Sequence, residues 1–165
     1  MKITYLGHAC FAIEESGFRV IVDPYEGVEG YGDLHTQGNA VYCSHGHKDH
    51  SFTKGVVLAD GGTSPFSVRE IPSFHDNQGG ALRGENTIRV FTAGGVAVAH
   101  LGDLGHRLSE AQVEAIGQCD VLLLPVGGFY TVDAEMAREV AEQVKPRCIV
   151  PMHYRHAPYG LPNVD

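Results

Sequence analysis

The sequence is short of positive charge and contains no tryptophan. Lys and Arg together number 12 against 20 Asp and Glu, so the formal net charge of the 165 residues is −8. Contacts with nucleic-acid phosphates or anionic membrane surfaces need clustered Lys and Arg. This balance argues against a nucleic-acid-binding or membrane-surface protein and favours a small-molecule partner. An anionic substrate stays open, because cations bound in a site would offset the charge locally.

The chain also has no closely paired cysteines and no long apolar segment. Its four cysteines, Cys10, Cys43, Cys119 and Cys148, are far apart and form no C-x-x-C motif. Each lies in or beside an apolar run, so we expect free thiols in a reducing compartment rather than a disulfide framework. The N-terminus shows no apolar signal-peptide region, and no run is long enough for a transmembrane helix. These features predict a cytoplasmic protein.

Strand-like segments fill the first hundred residues, and helix-like segments appear only after them. Ser109 predicts the start of a helix over 110–116, and Asp133 predicts the start of another over 134–144. The pattern predicts one mixed α and β domain over residues 1–165. The predicted strands are 2–6, 10–14, 18–22, 40–43, 56–58, 67–71, 86–91, 96–100, 121–125 and 148–151, with a loop over 25–39 and a turn over 60–62.

The densest group of reactive side chains lies directly after the apolar segment 40–42. His45, His47, Asp49 and His50 place four potential metal ligands within six residues. Imidazole and carboxylate groups together suit zinc, manganese or iron, the metals that activate water. A solvated His-rich turn is the alternative, and the density of ligands argues against it. The segment predicts metal chemistry without naming a substrate.

Three further candidates, His75, Asp103 and His153, each follow the end of an apolar strand, where a loop turns towards a cleft. Taken singly, each has an ordinary explanation, such as a loop histidine or a Gly-Asp turn. Two four-coordinate metals need about seven or eight ligands. The cluster and these three residues together supply seven, which makes the joint hypothesis stronger than its parts.

These ligands, in this order, resemble those of the metallo-β-lactamase superfamily. The closer resemblance is to its small branch of metal-dependent hydrolases, which includes ascorbate-6-phosphate lactonase-like proteins. The segments that carry the closer resemblance include Tyr5–Phe11, Val22–Pro24, Phe74–Asp76 and Pro125–Gly128. The resemblance implies an α/β (α+β) fold, a four-layer αββα sandwich of two mixed β-sheets with external helices and metals at one edge.

The resemblance also implies a division of the ligands between two divalent metal ions, zinc first, with manganese or iron as alternatives. The first metal would be held by His45, His47 and His75, and the second by Asp49, His50 and His153, with Asp103 bridging both. Two such metals share a water and lower its pKa towards about 7, which gives a hydroxide nucleophile. Asp49 is then the candidate for orienting this nucleophile and accepting its proton.

We therefore expect a metal-dependent hydrolase that cleaves an ester, lactone or phosphodiester bond in a small substrate. An iron-dependent oxidoreductase of the same fold and a non-catalytic metal-binding protein are the alternatives, and a homo-oligomer stays open. Asp23 is expected to brace a loop rather than to bind metal, and His100 to be packed. The residues expected to line the cleft are His8, Asp76, Arg83, as an anchor for an anionic substrate, and Tyr154.

Overall fold

Two mixed β-sheets packed face to face form the body of the protein in the computed structural model, which describes residues 1–60 and 62–165. A 3₁₀ turn spans Thr53–Gly55, and the helices are α1 (Glu110–Ile116) and α2 (Ala134–Val144). The strands are β1 (Lys2–Gly7), β2 (Cys10–Glu15), β3 (Phe18–Val22), β4 (Thr36–Gly38), β5 (Ala40–Tyr42), β6 (Val56–Leu58), β7 (Ser67–Phe74), β8 (Glu85–Ala93), β9 (Val96–His100), β10 (Val121–Pro125) and β11 (Cys148–Met152).

Each sheet combines parallel and antiparallel neighbours. The first has the order β1-β2-β3-β5, in which β5 runs parallel to β3 and the other pairs are antiparallel. The second has the order β11-β10-β9-β8-β7, with β9, β10 and β11 parallel and the last two pairs antiparallel. β4 and β6 form a separate parallel pair. The predicted sandwich of two mixed sheets is confirmed.

The main core lies between the two sheets, because alternate residues of each strand point inwards. Phe11 and Ile13 of β2 pack in one cluster with Phe91 of β8 and Leu123 of β10, and none of the four is more than 1% exposed. Complete burial of each such side chain contributes about 1.5–3 kcal/mol. This core fixes the sheets against each other and so fixes the relative positions of their edges.

Different elements cover the two outer faces of the sandwich. Helices α1 and α2 pack on the second sheet, and their predicted bounds are confirmed. Ser109 and Gln112 form a reciprocal capping box at α1, and the Asp133 carboxylate accepts from the Met136 N–H at α2. The loop after β3 covers the first sheet with Tyr25. No helix among the described residues is long and apolar enough to cross a membrane.

Several strands begin or end one or two residues from their predicted bounds, and two differences are larger. β7 continues through Pro72 to Phe74, because β7 lies at the sheet edge, where the missing proline N–H leaves no neighbouring strand unpaired. β4 forms inside the predicted loop 25–39, since its polar residues pair with the distant β6. The predicted turn 60–62 contains Gly61, which lies outside the described residues.

Candidate metal centre

Five segments of the chain meet at one edge of the sandwich, each directly after a strand. His8 follows β1 and the 45–50 loop follows β5, while His75, Asp103 and His153 follow β7, β9 and β11. Backbone contacts hold the segments together: the His153 N–H donates to the carbonyl of His8 at 3.0 Å. The seven predicted ligands, together with His8, therefore lie at one site.

The ligand atoms fall into three groups, and the atoms within each group lie within 4.8 Å of one another; the group of His45, His50 and Asp103 overlaps the other two. One group contains His45, His47 and His75, which is the predicted set for the first metal. Another contains the predicted second set with His8 added, namely His8, Asp49, His50 and His153. The grouping matches the predicted division of residues, and the binding of metal by them stays a prediction.

Asp103 lies between the two groups and is buried. Its Oδ2 lies 3.0 Å from His75 Nε2 and 3.3 Å from His153 Nε2, and its Oδ1 lies 3.2 Å from His50 Nε2. Burial raises its pKa, but His153 and His50 outweigh burial and hold the pKa of Asp103 well below the usual range. The carboxylate is therefore ionised, and its two oxygens face both groups.

The unpartnered atoms of this site fit a metal. Within the described chain, the buried side-chain atoms that lack a hydrogen-bond partner include Nε2 of His8, His45, His50 and His153, Nδ1 of His75 and Oδ1 of Asp103. A buried polar atom left unpaired costs about 1–3 kcal/mol. Imidazole nitrogen and carboxylate oxygen are ligands for divalent transition metals, so such ions would satisfy these atoms together.

Asp23 fixes the orientation of His50 from behind. Its Oδ2 accepts from His50 Nδ1 at 2.9 Å, and its two oxygens accept from the N–H and the hydroxyl of Ser44 at 2.6 and 2.7 Å. Burial raises the pKa of Asp23, but His100 and His50 bring it down to about 2. Because an ionised carboxylate only accepts, Nδ1 of His50 carries a proton, and Nε2 is the ring nitrogen that faces Asp103. The expected bracing role of Asp23 is confirmed.

His100, which shapes the charge around Asp23, is itself packed as predicted. Its Nε2 lies 2.8 Å from the carbonyl of Ala9, and its Nδ1 accepts from the N–H of Gly102 at 3.1 Å. Both ring nitrogens are thus used by the backbone. Burial lowers the pKa of His100, and its two backbone contacts hold the ring in place beneath the site.

His8 lies against Asp49 inside the site rather than on a cleft wall. Its Nε2 is 3.4 Å from Asp49 Oδ2, and its ring centroid is 4.3 Å from that of His153. Burial lowers the pKa of His8 to about 4. Burial raises the pKa of Asp49, but His8 and His50 bring it well below the usual range. A neutral imidazole therefore stands beside an ionised carboxylate.

Three residues of the site share an unusual backbone conformation. His8, Asp23 and His153 have φ values of 54°, 51° and 55°. Side chains other than glycine rarely adopt this left-handed region, and such conformations concentrate at functional sites. Each of the three residues follows directly after the last residue of a strand, namely β1, β3 or β11.

A cleft of about 350 Å³ opens above the ligands. Lys48 and Arg83 line this cleft, together with Tyr130. A smaller pocket of about 180 Å³ shares His75, Arg83 and Tyr130 with the cleft. Arg83 and Tyr130 therefore stand between a space over the ligands and a second space beside it.

The remaining predicted cleft residues have different placements. Arg83 lines the cleft, whereas Asp76 lines the smaller pocket and not the cleft. The Asp76 carboxylate accepts from the backbone N–H groups of Gln78, Gly80, Leu82 and Arg83 at 2.8–3.0 Å. Burial raises its pKa, but these donors bring the pKa of Asp76 to about 2. Its carboxylate thus organises the loop that carries Arg83.

Tyr154 lines neither of these two pockets and instead joins a group of tyrosines beside β1. Burial and the neighbouring phenols of Tyr31 and Tyr154 raise the pKa of Tyr5.

Sequence reasoning missed Lys48 and Tyr130 as residues that line the cleft. The sequence did carry a signal for Lys48, since this residue stands between two predicted ligands. It carried no signal for Tyr130, which follows no strand end.

The sandwich and its edge site define a class of metal-dependent enzymes, the metallo-β-lactamase superfamily, and residues 2–153 match the family described as the beta-lactamase superfamily domain. A UPF0173 protein of Pyrococcus furiosus is 31% identical, and the match covers 93% of this chain and 83% of that protein. A UPF0173 metal-dependent hydrolase of Carboxydothermus hydrogenoformans is 27% identical over 96% of this chain and 86% of its own length. The chain belongs to the UPF0173 metal-dependent hydrolase family.

Solved structures agree with this assignment. A protein of Thermotoga maritima, proposed to be a Zn-dependent hydrolase of the metallo-beta-lactamase superfamily, is 37% identical with a TM-score of 0.72 and covers 96% of this chain and 78% of its own. The short form of human tRNase Z gives a TM-score of 0.68 at 13% identity, covering 94% and 93%, and shows the fold alone. The predicted superfamily, fold and metal-dependent hydrolase class are confirmed.

Proposed function

We propose that this hydrolase uses two divalent metal ions to cleave an ester, lactone or phosphodiester bond in a small substrate. The observation that supports it best is the position of Asp103, whose two oxygens lie within 3.0–3.3 Å of Nε2 atoms from three histidines of both ligand groups. A single buried carboxylate between two sets of ring nitrogens suits two cations that share one ligand.

The proposed ligands follow the two groups. His45, His47 and His75 would hold one metal, and Asp49, His50 and His153 the other, with Asp103 shared. When bound, the metals would supply a water of lowered pKa and polarise the scissile carbonyl or phosphoryl oxygen. We propose zinc as the native ion, with manganese or iron as alternatives, because a set of five histidines and two carboxylates suits all three.

Asp49 has the position required of a proton acceptor. Its side chain is 20% exposed and lines the cleft, whereas Asp103 is buried. His8 touches the Oδ2 of Asp49 from the buried side. We assign to Asp49 the acceptance of a proton from the attacking water and to His8 the orientation of the Asp49 carboxylate.

Three further assignments belong to this proposal. Within the superfamily, we place the chain near the ascorbate-6-phosphate lactonase-like proteins, because its segments 5–11 and 125–128 resemble theirs. The four free thiols support a reducing, cytoplasmic location. The cores on both sides of each sheet support one domain over residues 1–165.

The test is hydrolysis by metal-stripped protein before and after reloading with Zn²⁺, Mn²⁺ or Fe²⁺. The panel holds a p-nitrophenyl ester, a γ-lactone and bis(p-nitrophenyl) phosphate. We expect at least one class to be turned over only by loaded protein. Oxygen uptake by the iron form without hydrolysis would favour the oxidoreductase alternative, and no turnover by any loaded form would favour non-catalytic metal binding.

A further inference from the structure

Arg83 is the one arginine in the described chain whose guanidinium has neither a carboxylate within 4.0 Å nor a hydrogen-bond acceptor on the protein. Arg69 donates to the carbonyl of Ala115 at 2.9 Å. The other six arginines form ion pairs: Arg19, Arg89, Arg107, Arg138, Arg147 and Arg155. In a chain with eight more acidic than basic side chains, an arginine without a partner is an exception.

The structure holds this unpaired guanidinium in a defined place. The backbone N–H of Arg83 donates to Asp76 Oδ2 at 2.8 Å, which fixes the base of the side chain. The guanidinium carbon lies 5.8 Å from the ring centroid of Phe129 and 5.7 Å from that of Tyr130. Contacts with aromatic rings hold a guanidinium without using its N–H donors. Arg83 therefore keeps its donors free for a ligand.

A second cation lies in the same cleft. Lys48 lines it beside the ligands Asp49 and Asp103, and no carboxylate of the described residues lies within 4.0 Å of the Lys48 ammonium group. Glu85, two residues after Arg83, forms no ion pair with it within 4.0 Å. Asp76, which organises the loop that carries Arg83, directs its oxygens to backbone N–H groups rather than to the guanidinium. The cleft thus presents two unpaired cations around the proposed reaction centre.

We propose that Arg83, with Lys48 as the second cation, forms a subsite for a carboxylate or phosphate group of the substrate that is not the scissile group. This inference rests on the proposed function and deepens it: the substrate is an anionic small molecule, cleaved at an ester, lactone or phosphodiester bond away from its anchoring charge. A planar guanidinium with free donors binds such oxygens through two parallel hydrogen bonds.

Paired substrates test the subsite through turnover. Mono-p-nitrophenyl succinate carries a remote carboxylate, and p-nitrophenyl butyrate is its neutral counterpart of similar length. We expect wild type to prefer the succinate in kcat/KM, and Arg83→Gln to lose about 10-fold or more of that preference, mainly through KM. Arg83→Lys should retain part of it. Arg69→Gln is the control and should keep all of it; an unchanged preference in Arg83→Gln overturns the subsite.

Equilibrium binding tests the subsite without any turnover. The dissociation constant of phenylphosphonate is measured by titration calorimetry on wild type, Arg83→Gln and Arg69→Gln with equal metal content. We expect about 10-fold or weaker binding in Arg83→Gln alone. Weaker phenylphosphonate binding in Arg83→Gln, together with no hydrolysis of any substrate, would overturn the proposed function and leave the proposed subsite supported. Equal constants in wild type and Arg83→Gln overturn the subsite even if hydrolysis occurs.

Discussion

Asp23 Oδ2 accepts a hydrogen bond from His50 Nδ1 at 2.9 Å, and both side chains are completely buried. The same carboxylate binds the backbone and hydroxyl of Ser44. Asp23 therefore joins the end of β3 to the loop of proposed ligands and leaves His50 Nε2 facing Asp103. A residue that binds no metal itself thus sets the direction of one that is proposed to do so.

Asp23→Asn should weaken metal binding about 10- to 100-fold, because the amide is a poorer acceptor for the His50 ring. Asp120→Asn is the matched control: Asp120 is also buried and accepts from the Ala97 N–H at 2.9 Å, but at the end of β9 away from Asp103. Competition with a chromophoric chelator measures both affinities. Equal zinc affinity in Asp23→Asn and wild type would refute the role of Asp23.

Asp49→Asn should lower kcat about 100-fold or more with the fold retained, since the amide does not accept the proton of water. If His8 acts by orienting Asp49, then His8→Gln should lower kcat by a much smaller factor in the Asp49→Asn background than in wild type. The measurement is a double-mutant cycle on kcat, with circular dichroism as the folding control. Strictly additive losses would show that His8 does not act through Asp49.

Gly127 should not tolerate a side chain, although it lies far in sequence from the His153 loop that it touches. A Cβ at Gly127 would stand 2.0 Å from the His153 carbonyl oxygen, so Gly127→Ala must displace this proposed ligand. A Cβ at Gly46, inside the ligand loop itself, would meet no described atom within 4 Å. We expect lower metal content and a lower Tm for Gly127→Ala and near-normal values for Gly46→Ala. The reverse order would contradict the packing described at this edge.

Chelation should lower the Tm, because the proposed ligands come from four separate segments that the metals would join. A ligand that binds only the folded state stabilises it by about 2.7 kcal/mol when its free concentration is 100 times its dissociation constant. Differential scanning fluorimetry with EDTA, and again after reloading with zinc, measures the shift. A His75→Ala variant should show a smaller shift than wild type. Identical Tm values for stripped and loaded wild type would contradict a metal that joins these segments.

Much of the fold could be predicted because its signals are local. The Ser109 cap defined the start of α1, and the apolar run 121–125 marked β10. β7 was predicted too short because Pro72 normally ends a strand, and only its place at the sheet edge permits it to continue. β4 was not predicted, because its pairing with β6 is a contact between residues that are distant in the sequence.

The features of the site also fall into those that the sequence could predict and those that only the folded chain shows. The meeting of the seven predicted ligands at one site followed from their spacing and strand ends, whereas their division into two groups was implied only by the family resemblance. His8, which contacts Asp49, has a left-handed backbone conformation that no residue pattern in the sequence predicts. The aromatic rings of Phe129 and Tyr130 reach Arg83 from a distant loop, so the fixed guanidinium emerged only from the folded chain.

The number of metal ions per chain tests the two-metal account most directly. Purified wild type, saturated with zinc and passed through a desalting column, is analysed by inductively coupled plasma mass spectrometry against its protein concentration. The account predicts close to two zinc ions per folded chain, and fewer than two in Asp103→Ala, which lacks the shared ligand. A folded, fully active wild type that holds one ion or none would contradict it.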